Sequence, residues 1–317
     1  MNRPEVIKSF FLALASTVLL FLAGVAIPLV GILLIPLVPQ PALVFSVRYG
    51  RDNGMRLLLL ATLLLFFLGG KELALGYSLF ALMAVLLFFS FGRRWSIESV
   101  VVGTATGMFA AVCAVLLYFF GPLSHLRQVI SEALKENLEA SLKLYEKTGL
   151  FQEGMEITRE QVPQIIETIL QIMPALAFAG FVTVILMNLI FLYRRFPDHH
   201  SFFTSSGDLR EWKSPDPLIW YFILSGFFLF LSGWGMLKIL ALNLFLVIAV
   251  FYFFQGLAIV AYYFHCKKVP FFLRSLAYIL IVFQQIFTLF VVGLGLFDLW
   301  GDFRRLKKKD LNAGQVT

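Results

Sequence analysis

The sequence predicts an all-α polytopic membrane protein: a transmembrane helical bundle of about eight spans (eight to nine) with an extramembrane amphipathic helical hairpin. Three observations predict it. Of the 317 residues, 60% are hydrophobic and only 14% are charged, against roughly 45–50% and 25% in a soluble domain. Mean hydropathy is +0.86. The apolar runs are long and lack the period-2 alternation of a membrane barrel strand. Phe alone occurs 36 times, and a soluble fold of this length would leave many of those rings in water. An ordinary soluble enzyme, a disordered chain and a disulfide scaffold are thereby excluded.

The elements follow in order. Arg3 and Lys8 precede an apolar block from Phe10 to Val47. About 20 residues cross the hydrocarbon, so this block is too long for one span. It reads as a regular helix from about Phe10 to Ile27, retained as the first span. A broken or short second helix, punctuated by Pro28, Pro36, Pro39 and Pro41, ends at Val47. Arg48, Arg51 and Arg56 form a basic loop. Leu57 to Gly69 is a short apolar run, Gly69-Gly70-Lys71-Glu72 turns the chain, and Leu73 to Phe91 crosses back to Arg93 and Arg94. Ile97 to Phe120 is the next span. Its small residues Gly103, Thr104, Ala105, Thr106 and Gly107 let helices approach closely in lipid.

The chain then changes character. From Ser124 to Lys147, Leu126, Val129, Ile130, Ala133, Leu134, Leu138, Leu142 and Tyr145 recur every three or four residues, one apolar face opposite a charged one. Thr158 with Gln161 has the spacing of a capping box at the start of a second polar helix. The plain reading is a solvated hairpin over 123–171 on the outer membrane surface. The functional reading is a lid over a site between the spans. Met173 to Tyr193 returns to Arg194 and Arg195. Residues 196–216 form a cytoplasmic connector with His199-His200, Ser205-Ser206-Gly207 and Pro215-Asp216-Pro217. Apolar runs follow at Leu218–Trp234, Leu237–Phe264 and Pro270–Trp300.

Net charge is +7 and unevenly placed. The tail 301–317 is net +3, whereas 123–171 is net −3. Basic residues thus flank the apolar runs, the positive-inside pattern, with no nucleic-acid footprint. The nine candidate segments would put the termini on opposite sides, yet both ends and the loops at 48–56, 93–94, 194–213 and 266–274 are basic. One segment therefore stops short of crossing, either 28–47 or the last run. The reading is eight full crossings with both termini cytoplasmic.

Little here carries covalent chemistry. The chain has no phosphate-binding loop, no dinucleotide glycine pattern and no HExxH, and no nucleophile–base arrangement can be proposed from spacing. No catalytic residue, metal site or cofactor is expected, and the protein is read as no enzyme. Cys113 and Cys266 are read as free thiols. Asp298 and Asp302 flank Trp300 and, with Arg304 and Arg305, form a candidate ion cluster at the cytoplasmic boundary. Asn188, Asn243, Gln255, Gln284 and Gln285 lie within apolar runs. An unpaired amide in hydrocarbon is costly, so these either hydrogen-bond between helices or line a ligand cavity.

Asn243, Tyr252-Phe253-Phe254-Gln255-Gly256-Leu257, the run from Gly295 to Arg305 and Pro39-Gln40-Pro41 before Arg48-Tyr49-Gly50 carry a family resemblance. Over roughly residues 8–306 the chain resembles the YybS-like family of bacterial multi-pass membrane proteins, a domain of unknown function. That family is distantly similar to the S components of energy-coupling-factor transporters, which bind vitamins or metal ions and rely on a separate coupling subunit and ATPases. The resemblance implies an S-component-like bundle over 1–195, followed by C-terminal helices over 217–300 and a basic cytoplasmic tail over 301–317. It implies a bacterial inner-membrane location and a substrate-binding or transport component lacking its own ATPase, with an unidentified small-molecule ligand. The lipid bilayer is the expected surrounding, and a coupling subunit with ATPases or other envelope proteins are the expected partners. The alternative is a non-transporting scaffold or assembly factor that docks partners through 124–171 and the basic tail.

Overall fold

The computed structural model describes residues 3–91, 93, 95–148, 161–196, 209–231 and 235–304. Every regular element among them is helical. The α-helices are α1 (Arg3–Ala26), α2 (Pro28–Leu34), α3 (Gln40–Tyr49), α4 (Arg51–Ser90), α5 (Ile97–Phe120), α6 (Leu123–Thr148), α7 (Val162–Arg195), α8 (Leu218–Phe230), α9 (Gly235–Cys266), α10 (Phe271–Phe283) and α11 (Gln285–Gly301). Short 3-10 turns occupy Ile35–Leu37 and Leu209–Glu211. Five helices, α1, α4, α5, α7 and α9, are long and apolar enough to cross a membrane, and the bent pair α10–α11 makes six if taken as one span.

The chain divides into two compact units. The first comprises Met1–Met108 and Gly180–Lys213. Its proline-rich stretch is broken as the sequence suggests, into α2, a 3-10 turn and α3, because proline lacks the N–H that continues a helix. The 40 residues of α4 would extend about 60 Å as one rod, twice the hydrocarbon thickness. Gly69 (φ −150°, ψ 21°) and Gly70 (φ 74°, ψ −165°) leave helical geometry and split it, and only glycine takes the second conformation freely. The pieces 51–68 and 71–90 are about 27 and 30 Å long. Phe21 of α1 meets Tyr77 edge-on at 5.6 Å, and Phe10 meets Phe45 of α3 at 5.6 Å. Arg48 and Arg51 lie over the rings of Phe196 and Phe89, at 5.6 and 5.1 Å.

The second unit comprises Phe109–Ala179 and Ser214–Thr317. In α6 the stripe residues Leu126, Val129, Ile130, Leu134, Leu138 and Leu142 are half-buried, Ala133 is exposed, and the charged residues Glu132, Lys135, Glu136, Glu139 and Lys143 are exposed. Residues 149–160, including Thr158, lie outside the described residues, as do His199-His200, Ser205-Ser206-Gly207 and residues 305–317. The second polar helix and the span after it, read separately from the sequence, are one helix: α7 runs 34 residues through Pro174. Arg127 of α6 pairs with Glu167 of α7 at 2.5 Å.

Helices α8, α9 and α11 pack as the core of this unit, around the fully buried Tyr252, Ile248 and Ile259. Phe222 stacks on Phe245 at 4.4 Å. The α9–α11 crossing depends on two glycines. A β-carbon on Gly295 would overlap the carbonyl oxygen of Tyr252, and one on Gly256 would overlap that of Val291. Backbones approach this closely in lipid only where side chains are absent.

Candidate functional site

The close α9–α11 crossing places a buried polar cluster beside it. Gln255 adjoins Gly256 on α9, and Asp298 lies one turn beyond Gly295 on α11. The Gln255 amide nitrogen donates to Asp298 Oδ2 at 3.2 Å. Its oxygen accepts from the Ser214 backbone N–H at 3.1 Å and from the Ser214 hydroxyl. Asp298 Oδ2 also accepts from Arg304 at 2.7 Å, and Oδ1 from the Phe303 backbone N–H at 3.0 Å. The side chains of Arg304 and Asp298 are 0% and 3% exposed.

Local backbone explains how Arg304 returns to Asp298. Helix α11 ends at Gly301, and Asp302 adopts a left-handed conformation (φ 38°, ψ 52°) with its N–H bonded to the Asp298 carbonyl. That reversal points the next two residues back at the Asp298 carboxylate. Gln255, Asp298 and Arg304 therefore come together, with Ser214 as a member the sequence did not single out. Asp302 contributes the turn. Arg305 lies outside the described residues.

The Asp298 carboxylate thus accepts from a guanidinium, a backbone N–H and an amide. Such a buried pair is strongly disrupted when one partner is removed, because the other charge stays behind without compensation. The cluster ties the segment before α8, the middle of α9 and the end of α11 to one point.

The remaining amides are placed separately. Asn188 belongs to the first unit, where its Nδ2 donates to the carbonyls of Pro36 and Val184, both at 2.8 Å. Gln40 donates to the Asn188 carbonyl at 2.6 Å. The Pro36 carbonyl needs such a donor because Pro39, three residues on, has no N–H. Asn243 does the same for α7. The Ala175 N–H donates to Asn243 Oδ1 at 2.9 Å, and Asn243 Nδ2 donates to the Gln171 carbonyl at 2.7 Å. In a regular helix that N–H and that carbonyl would bond to each other. The Asn243 amide is inserted between them beside Pro174, a recognised way to accommodate a helix kink. Asn188 and Asn243 thus serve proline-interrupted backbones.

Gln284 and Gln285 mark a different kind of position. They are exposed and lie where α10 and α11 meet at a bend of 100°. Gln284 has extended geometry and gives α11 no side-chain cap. The Thr288 hydroxyl donates to the Ile281 carbonyl at 2.5 Å, taking up an acceptor that the break releases.

Near the cluster, Asp216, Ile219, Trp220, Ile223, Leu299 and Trp300 line an open cleft of about 290 Å³. No group of three or more His, Cys, Asp or Glu side chains suited to a metal occurs among the described residues. Cys113 is half-buried and Cys266 exposed, both as free thiols. Outside the apolar run of α7, which begins at Met173, the Arg127 hydrogen bond to Glu167, aided by Gln171, holds that carboxyl below the usual range.

The sequence model of a family described as predicted membrane protein (DUF2232) matches residues 15–299, most of the chain. Comparison with curated proteins and with solved structures finds no match.

Proposed function

The chain belongs to that family of predicted membrane proteins, and on that premise we propose that it is a transport-related component of a bacterial inner membrane that lacks its own ATPase. The observation that carries this reading is the break at Gln284. A span interrupted at membrane depth is tolerated only where it is packed in protein or lines a water-filled cavity, and interrupted helices recur where transporters hold solutes. The proposal assigns eight full crossings with both termini cytoplasmic, and no catalytic role. The resemblance to S components fits a chain without a nucleotide site. Of the two readings open for the amides, Asn188, Asn243 and Gln255 are taken as hydrogen-bonding between helices, since each is engaged by backbone or buried side chains. Gln284 and Gln285 become the candidates for solute contact.

A second reading, a scaffold or assembly factor, is favoured by α6, whose charged face is exposed while its base is tied to α7 through Arg127 and Glu167. Gentle purification from native membranes with mass spectrometry of the accompanying proteins separates the two. A coupling subunit and ATPases in fixed ratio support the transport reading. Envelope, division or secretion proteins in their place overturn it in favour of the scaffold.

A further inference from the structure

The directions of α8, α9 and α11 follow from their contacts. Ser214, before α8, meets Gln255, Phe222 meets Tyr252 and Phe245, and Gly226 lies against Phe245. As the chain advances along α8, its contacts step back along α9, so these two helices are antiparallel. The start of α8 therefore lies toward the C-terminal end of α9. The cleft shows that Leu299 and Trp300, at the end of α11, lie beside Ile219 and Trp220 at the start of α8. Independently, the Tyr263 hydroxyl, in the last turn of α9, donates to the Phe303 carbonyl just past α11, at 2.8 Å. With the crossing fixed at Gly256 and Gly295, an antiparallel arrangement would separate those two residues by roughly 20 Å along the axes. Helices α9 and α11 run the same way and end on the same side.

Helix α10 joins them. It begins at Phe271, shortly after α9 ends at Cys266, and its Tyr278 packs against Phe264 near that end. Its 13 residues extend about 20 Å, short of a hydrocarbon core of about 30 Å. It then bends by 100° directly into α11.

We infer that α10 and α11 form a re-entrant pair: the chain enters and leaves the membrane on the side of the basic tail and turns inside it at Gln284–Gln285, which line a hydrated recess open to that side. The recess follows from exposure. Both glutamines are exposed, and interrupted backbone facing lipid does not persist in hydrocarbon. The arrangement also resolves the charge pattern. His265, Lys267 and Lys268 at the end of α9 and Arg304 just past α11 fall on one side, as positive-inside asymmetry requires. The inference stands apart from the transport reading, since the partners recovered on purification do not bear on it.

The test uses the full-length chain carrying Cys113→Ser and Cys266→Ser in sealed membrane vesicles of both orientations. Lys267→Cys, Lys308→Cys and Gln285→Cys are introduced singly and exposed to a membrane-impermeant maleimide. All three are expected to react from the same face, Gln285→Cys about tenfold or more slower than the flanking sites, with Leu289→Cys unreactive as the lipid-facing control. Reaction of Lys267→Cys and Lys308→Cys from opposite faces overturns the re-entrant pair. Gln285→Cys that stays unreactive while both flanking sites react overturns the recess.

Discussion

Tyr263 near the end of α9 donates a hydrogen bond to the carbonyl of Phe303, two residues past the end of α11. These residues are 40 apart in sequence, and their meeting requires two consecutive long apolar segments to run in the same direction. The intervening α10 must then carry the chain back without a full crossing. Four further consequences can be measured.

Replacing Gly295 by alanine forces α9 and α11 apart, because the new β-carbon overlaps the Tyr252 carbonyl. Overpacking of this kind costs about 1–3 kcal/mol. Gly293, two residues away on the same helix, has nothing within 4 Å of its β-carbon position. Thermal unfolding in detergent should show Gly295→Ala clearly destabilised and Gly293→Ala unchanged or slightly stabilised. Equal effects would contradict the crossing.

Asp298→Asn removes the buried carboxylate that faces the Arg304 guanidinium at 2.7 Å. The expected loss is about 3–5 kcal/mol. Removing both charges, as Asp298→Leu with Arg304→Met, should cost less than Asp298→Asn alone. A double variant worse than the single one would mean that the pair stabilises by more than mutual compensation.

Asn243→Leu strands the Gln171 carbonyl and the Ala175 N–H, at about 1–3 kcal/mol. Pro174→Ala restores a backbone able to close that turn. Combined with Asn243→Leu it should recover much of the loss. Strict additivity in this double-mutant cycle would count against Asn243 as a splint for the proline site.

The Arg127–Glu167 contact should respond to acid. Arg127 holds the Glu167 carboxyl below its ordinary range, so its contribution is complete above that range and fades as pH falls through the lowered value. Both side chains are largely exposed, so the effect is modest. Protection of the α6 amides, corrected for intrinsic exchange at each pH, should fall at acidic pH in the native chain, and Arg127→Gln should show the lower protection already at neutral pH. Identical exchange in both proteins across the titration would show that the contact does not hold the helices.

Much of the helical layout is legible in the sequence, and for local reasons. Hydropathy and length identify a membrane protein of many helices, and Gly69-Gly70 and the prolines of 28–41 mark breaks that backbone chemistry dictates. The amides at Asn188, Asn243 and Gln255 stand out because hydrocarbon penalises them. Their partners are not legible, because Gln171, Pro36 and Ser214 lie 72, 152 and 41 residues away and are met partly through backbone groups that carry no sequence signature. Gly256 beside Gln255 and Gly295 one turn before Asp298 were the available signal: a small residue next to a polar one on each of two helices. Charge alone leaves open whether 28–47 or the run after α9 stops short, although basic flanks follow both α9 and α11. Only the contacts of Tyr263 and Trp300 reveal that they end together.

The most direct measurement is cross-linking of Tyr263→Cys with Phe303→Cys, in the chain lacking Cys113 and Cys266, using a short bis-maleimide. Helices α9 and α11 running in the same direction predict an efficient intramolecular link for this pair and none for Tyr263→Cys with Ile286→Cys. Efficient linkage of 263 to 286 and none to 303 would mean that α11 runs opposite to α9, and the re-entrant account would fail.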